Sequence, residues 1–593
     1  MLDVAAKLTR RLQVYTLVRK AVARELVPPA GDLSDEVGVA LGGHAQDEER
    51  CLGVELLDEI EDRLCLPFEC VTRRVPVRPA EPTVHQLVPI LEVEAEQDLG
   101  HRLPSESLEH EPTPTLRDPS LGGVSAPPLR IVARRRTALV ALAATALSAA
   151  VNIPRAIEFS FWQDEVGTAR VITVSSPFSM LRAVVGTENH PPGFYSLAWL
   201  LDRIGVPVVW DRAISVLAAM AVSGLVVLYA RRLMPLWGAA LAGLVTALGW
   251  QFWRHGWELR PYSLFALTCV LFVLALEWAA EQPTRRRLGL LAAAVAAGAM
   301  THFFFLLTLG GGLLWVYLQK QHVRRLLAAI GFGLVPLAVW LPAFYKQFTG
   351  GGFQAYPDFS LTSALETYGT LLVRGSVNPA LALLVLGLVL FGAIRLWRAS
   401  DRGRLCALSA VLPVAVASLV WLAGPDIYVV KNLIGAAPFA AVAIAAALTA
   451  LPRPLAMAAT ASAAALVVAG FLDTNGRVVP DYDLVAAALV QEGWQEQDPI
   501  VVFGSPYEFL HPLDWYLPGG RLELANWSGG PCARVFVVSV GGRGQALTAG
   551  VATRRVRRIV IARLPYRPEL AGEARGRQGR LLATRAAKCA HVA

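Results

Sequence analysis

Two adjacent carboxyls in an aromatic-flanked loop, and one late lysine in a chain with 6 lysines among 49 arginines, are the residues best suited to chemistry. Asp164 and Glu165 stand in FWQDEVGTAR, about ten residues beyond an apolar run long enough to cross a bilayer. A carboxylate within reach of a hydroxyl can take its proton as that oxygen attacks an electrophile, even when the resting pKa is low. The same pair could instead cap a loop helix, because acids are favoured in a first turn. Downstream, ENHPPGFYSLAWLL sets Glu188, Asn189 and His190 ahead of Pro191 and Pro192, residues suited to starting a helix. RHGWELRPYSL places Arg254, His255, Glu258, Arg260 and Tyr262 at the end of another apolar run. Glu258 can pair with Arg254 or Arg260, and surplus cations there would suit an anion. His302 interrupts AVAAGAMTHFFFLL, and an ionisable group at a lipid boundary is a functional candidate by default. In YVVKNLIGAAPF, Tyr428 and Lys431 open a late apolar run, where the lysine either snorkels to the interface or meets an anion.

The elements that carry these residues are membrane helices. Of 593 residues, 54% are hydrophobic and 17% charged, with a mean hydropathy of +0.45, which excludes a wholly soluble enzyme. Candidate spans are 137–154, 213–230, 236–252, 261–280, 288–303, 304–319, 326–343, 379–396, 405–423, 432–450 and 455–472. The stretch 192–206 holds Asp202 and Arg203 and is expected to be interfacial or re-entrant, which gives 11 crossings, or 12 to 13 if it crosses. With the arginine clusters at 134–136, 231–232, 285–287, 320–325 and 395–404 and Arg453 placed in the cytoplasm, every span alternates. The loop 155–191, the residues named above and everything after 472 then face outward. The tail 476–593 alternates short β-rich runs with helical text and reads as a small extracytoplasmic α/β domain. Residues 1–130 carry 23 acids against 14 bases, and the remainder 24 against 41. That leader is rich in proline and acid and without a sustained apolar face, so it is expected to be either poorly structured or the product of a start codon assigned too early. The seven cysteines have no metal-ligand spacing, and the arginine bias reads as genome composition, not nucleic-acid binding.

Taken together, WQDE, ENHPPGFYSLAWLL, WDRAISVLAAMAVSGLVVLYARRL, ELRPYSL, MTHFFF and YVVKNLIGAAPF resemble the GT-C superfamily of polyprenyl-phosphate-sugar-dependent glycosyltransferases. The resemblance is to the branch of protein O-mannosyltransferases and lipid A aminoarabinose transferases, and covers roughly residues 135–480. It implies a polytopic helical fold with 11–13 spans that moves a hexosyl or pentosyl group from a polyprenyl-phosphate donor to a hydroxyl of a glycan, lipid or protein, with inversion. Asp164 is then the expected general base, with Glu165 second. His190, Glu258, Arg260, Tyr262, His302, Tyr428 and Lys431 are the expected substrate-binding residues. Some relatives use a divalent metal, for which His302 and Glu258 are the candidates. The pair continues as Val166–Gly167 and the late motif as Lys431–Asn432, departures that bear on the sugar more than on the reaction. The alternative, a transporter or flippase of envelope glycolipids, is disfavoured because no inverted repeat is evident and the ionisable residues gather on one face.

Overall fold

A computed structural model describes residues 128–349, 360–374, 377–423, 428–475, 481–503, 506–519, 521–527, 534–540, 551–556, 559–565, 573, 579–583, 587 and 590–592. The expected leader lies outside the described residues except for its last three, which begin a helix. That helix, α1 (Pro128–Glu158), is followed by a loop with three short helices, α2 (Gln163–Ile172), α3 (Pro177–Thr187) and α4 (Gly193–Arg203). A 3₁₀ turn (Val208–Arg212) runs into α5 (Ala213–Ala230). Next come α6 (Leu236–Leu248), α7 (Trp250–His255), α8 (Tyr262–Glu281), α9 (Arg285–Thr301), α10 (Phe305–Gln319), α11 (Val323–Gly333) and α12 (Val335–Thr349). The helical part closes with α13 (Leu361–Leu372), α14 (Pro379–Ala399), α15 (Asp401–Leu422), a second 3₁₀ segment (Val430–Ala436), α16 (Ala437–Thr449) and α17 (Arg453–Asn475).

Among the described residues seven helices are long and apolar enough to cross a membrane, and α11 with α12, bent by 46°, make an eighth if counted as one span. Each of the 11 expected spans falls on a helix, but α6, α9 and α10 have only 13, 17 and 15 residues, fewer than the roughly 20 a straight crossing needs. Each break has a local cause. Gly249 adopts an extended ψ of 141° and separates α6 from α7. His302, at φ −157° and ψ 133°, does the same between α9 and α10. Pro336 offers no amide donor and crowds the preceding turn at the bend between α11 and α12. The chain is a multi-pass helical membrane protein with a small α/β unit at its C-terminal end.

The span containing α16 is the axis of the bundle, with 94% of its apolar window buried, whereas α1 at 28% and α17 at 17% lie at the periphery. Alanine dominates α16, in APFAAVAIAAALT, so neighbouring backbones can come close. The tightest approach is at Gly392 of α14, where a Cβ would run into the carbonyl of Ala443. At the arginine-rich end of the bundle, the buried Glu277 accepts from Tyr229 Oη at 3.0 Å and from Arg232 at 3.3 Å.

The C-terminal unit comprises α18 (Tyr482–Gln491), β1 (Ile500–Phe503), α19 (Pro506–Tyr516), β2 (Glu523–Trp527), β3 (Arg534–Val540), β4 (Thr553–Val556), β5 (Ile559–Pro565), β6 (Gly579–Ala583) and β7 (Ala590–Val592). These strands form one sheet in the order β4-β5-β3-β1-β6-β2-β7, with β1 parallel to β3 and the other pairings antiparallel. Helices α18 and α19 pack Val485, Leu489, Phe509 and Leu513 onto the face carrying Ile500 and Val502. Hydrogen bonds fasten this unit to the first loop, among them Phe161 N–H donating to Tyr516 Oη at 2.7 Å and Tyr482 N–H donating to Ser160 Oγ at 2.8 Å.

A side chain at Gly392 must push α14 off α16. Gly392→Val is therefore expected to lower stability by about 1–3 kcal/mol, read as thermal unfolding of the detergent-solubilised protein. An unchanged melting temperature would contradict the close approach.

Candidate active site

The first turn of α2 sends its two carboxylates in different directions, because successive helical residues are about 100° apart. Glu165 turns inward. Its Oε1 accepts from Arg212 Nε and from the Leu259 amide, both at 2.7 Å, and its Oε2 accepts from Arg212 Nη2 at 2.6 Å and the Trp162 amide at 3.4 Å. Arg212 spends its remaining donors on the carbonyls of Ala156, Phe159 and Ser160. Its guanidinium also lies over the rings of Phe161 and Trp257, at 4.6 and 5.0 Å. Side-chain exposures of 0% and 1% make this a dry, fully satisfied pair that fixes α2 to the ends of α1 and α5 and to the turn before α8.

Asp164 turns outward into a cavity of about 570 Å³, where its Oδ2 accepts from Lys431 Nζ at 3.1 Å. Both side chains keep about a quarter of their surface exposed. Lys431 sits in the second 3₁₀ segment, 267 positions away in sequence. That segment presses against α8 at Gly435, where a Cβ would come within 2.7 Å of the Phe265 ring. Around the same cavity stand Gln163, Gly167, Arg170 and Val171 of α2, Ala183 and Thr187 of α3, Glu188, Asn189 and His190 of the following turn, Arg260, Tyr262 and His511 of α19.

Arg260 Nη1 donates to Glu188 Oε2 and Thr168 Oγ1, each at 2.9 Å, and to the Asp164 carbonyl at 3.2 Å. The Tyr195 hydroxyl donates to the same Glu188 oxygen at 2.7 Å. Burial would raise the Asp164 carboxyl, but the Lys431 ammonium and Arg260 guanidinium outweigh it and hold the pKa below the usual aspartate range. His190 is buried beside His302, its ring 4.6 Å away. Burial, with His302, Arg260 and Lys431 nearby, pushes its pKa well down, so the imidazole is neutral at pH 7. At the outer rim Arg170 pairs with Asp514 and approaches His511 Nδ1 at 3.5 Å, which ties the C-terminal unit to the cavity.

Of the residues singled out in the sequence, Asp164, His190, Arg260, Tyr262 and Lys431 line this one cavity. Glu165, Glu258, His302 and Tyr428 stand behind its wall. Glu258 is buried between Arg254 and His255 Nδ1, the latter at 2.6 Å. His302 stacks on Phe265 at 4.5 Å, and Tyr428 stacks on Trp421 at 4.4 Å while its hydroxyl bonds to Thr367. Among the described residues no three His, Cys, Asp or Glu side chains converge. The carboxylates of Asp164, Glu188 and Glu258 each already face a cation, so this donor set does not fit a divalent ion. Arg170, Arg212 and His511 are site or support residues that sequence reasoning did not single out, and Glu188 and Gly167 were noted there without a role in the site. Arg212 gave the one usable signal, an arginine at the start of a long apolar run.

No protein-family profile and no curated protein matches the sequence. Among solved structures, ArnT from Cupriavidus metallidurans in the apo state aligns at 12% identity and a TM-score of 0.43, covering 73% of this chain and 98% of that one. The same protein bound to undecaprenyl phosphate aligns at 12% identity and 0.41, covering 74% and 98%. The archaeal oligosaccharyltransferase AglB from Archaeoglobus fulgidus, in complex with an inhibitory peptide and a dolichol-phosphate, aligns at 10% identity and 0.41, covering 74% and 77%.

Removing one member of the Glu165–Arg212 pair strands the other charge in a dry site. Glu165→Ala or Arg212→Ala should each cost about 3–5 kcal/mol of stability, measured by thermal or denaturant unfolding in detergent. The double variant Glu165→Leu/Arg212→Met should recover part of that loss. Single variants as stable as the parent would show that the pair does not hold the loop.

Proposed function

We propose that this protein is an integral-membrane glycosyltransferase of the GT-C kind, which moves a sugar from a polyprenyl phosphate to an acceptor hydroxyl at the outer face of the cytoplasmic membrane. One observation carries the reading: a partly exposed carboxylate and a partly exposed lysine share one cavity wall at the loop end of a membrane bundle. The arginine clusters lie at the opposite end, which supports an outward-facing site and an extracytoplasmic C-terminal domain. A long isoprenoid leaves the bilayer only at a cost of about 0.8 kcal/mol per CH₂, so the catalytic groups must come to the lipid surface.

The acceptor oxygen attacks the anomeric carbon while the bond from that carbon to the phosphate oxygen breaks, and the bonding electron pair leaves with the phosphate. The acceptor proton passes to Asp164. A single displacement through an oxocarbenium-like transition state inverts the anomeric centre. Phosphate needs no proton to leave; it needs its charge stabilised in a partly dry site. Lys431 and Arg260 are the cations for that task, and neutral His190 is an oriented donor. When phosphate arrives, Lys431 shifts from Asp164 toward it, which frees a carboxylate oxygen to accept from the hydroxyl. Glu165 has no free face and no surface on the cavity, so it is a positioning residue and the base role falls to Asp164 alone. No step requires a metal. His511 lines the cavity, which supports a part for the C-terminal unit in acceptor access.

Asp164→Asn should lower kcat by roughly 10²–10⁴ while leaving donor binding within a few-fold, measured with polyprenyl-phosphate sugars and cell-envelope acceptor extracts. Full turnover in that variant would end the proposal. Because Asp164 is held below the normal range near 3.9, it is deprotonated at mildly acid pH and protonates only as pH falls through its lowered value. The acid limb of kcat/KM should therefore lie below that of a free aspartate, with no loss attributable to this group between pH 7 and 5. A limb centred near pH 6 would contradict it.

A further inference from the structure

The cavity face of α2 is a stripe at helical spacing. Gln163, Asp164, Gly167, Arg170 and Val171 line the cavity, while Glu165, Val166, Thr168, Ala169 and Ile172 pack behind. The middle position of that stripe is a glycine, which weakens a helix interior relative to alanine. Nothing local requires it. Its φ lies outside the left-handed range, and a Cβ would meet only Glu188 Oε1, at an ordinary 3.5 Å. Gly392 and Gly435 differ, because there a Cβ would collide with a neighbour. What the missing side chain of Gly167 provides is open space, one helical turn from Asp164.

Glu188 closes the far side of that space. Its Oε2 already accepts from Tyr195 and Arg260, and Oε1 is the oxygen turned toward Gly167. Since Arg260 balances its charge at 2.9 Å, Oε1 suits a neutral hydroxyl donor better than a cation.

We propose that Gly167 is a specificity-determining position: the space over its Cα, bounded by Glu188 Oε1, receives a hydroxyl-bearing substituent of the donor sugar and so sets how large that sugar can be. This rests on the transferase reading and adds to it the class of sugar, neutral and hydroxylated at that corner. Filling the space should tax the bulkier donor first.

The test uses the full chain in lipid nanodiscs, with Gly167→Ala and Gly167→Val assayed against synthetic polyprenyl-phosphate hexoses and pentoses, and with binding of sugar-free undecaprenyl phosphate measured in parallel. Gly167→Val should bind the sugar-free lipid within about twofold of the parent, raise KM for hexosyl donors at least tenfold, and shift the hexose-to-pentose ratio of kcat/KM toward pentose. Gly167→Ala, which removes least space, should show a smaller shift in the same direction with an equal or higher melting temperature, and it keeps the test open if the valine variant does not fold. Unchanged selectivity in a folded variant overturns the inference. So does loss of sugar-free lipid binding with selectivity retained, which would assign the space to the phosphate path. If the parent itself binds no undecaprenyl phosphate, the transferase reading fails first and this inference falls with it.

Discussion

Charge balance at the lipid boundary governs this structure. At the loop end of the bundle Glu165 faces Arg212, Asp164 faces Lys431, Glu188 faces Arg260 and Glu258 faces Arg254. An unmatched charge at that depth is expensive, so the fold must bring Glu165, Glu188 and Asp164 to bases 47, 72 and 267 positions away, while Glu258 meets Arg254 only four positions away. His190 adds a donor to this group without adding charge, because burial and the nearby cations push its pKa well down.

The pairs differ in wetness, and in the proposed reaction that difference separates the pair that holds the loop from the pair that meets the substrate. Glu165 and Arg212 have 0% and 1% exposure and every bonding direction occupied, so neither can exchange partners without dismantling the loop. Asp164 and Lys431 share one hydrogen bond and keep a quarter of their surface in the cavity. A site built to receive an anion without stranding a charge needs one rigid pair to hold the loop and one exchangeable pair to accept the newcomer. Under the proposed function, the adjacent carboxyls of one dipeptide would fill these two roles because the helix points them apart.

Much of this was legible in the sequence, where it depended on local pattern. The apolar runs mark the long helices of the bundle but not α13, and the polar residues that interrupt them gather at the end that holds the cavity. Asp164, His190, Arg260, Tyr262 and Lys431 were recognisable from that pattern and from the motif resemblance, and they meet at one cavity. Pattern failed where long-range pairing decides. Two neighbouring acids look equivalent until Arg212, 47 positions on, takes one of them out of reach. Tyr428 and His302 looked like ligands because they are polar at span ends, yet each packs against an aromatic ring behind the wall. His511 has no signal at all, since only the docking of α19 onto α2 brings it to the cavity.

A structure of the full chain with bound undecaprenyl phosphate tests the central claim most directly. The account requires the phosphate oxygens to lie within charge-assisted hydrogen-bond reach, about 2.7–2.9 Å, of Lys431 Nζ or the Arg260 guanidinium, with the Asp164 carboxylate on the same cavity wall. Phosphate seated instead among Arg232, Arg402 and Glu277 at the other end of the bundle, with the Asp164–Lys431 pair undisturbed, would contradict it.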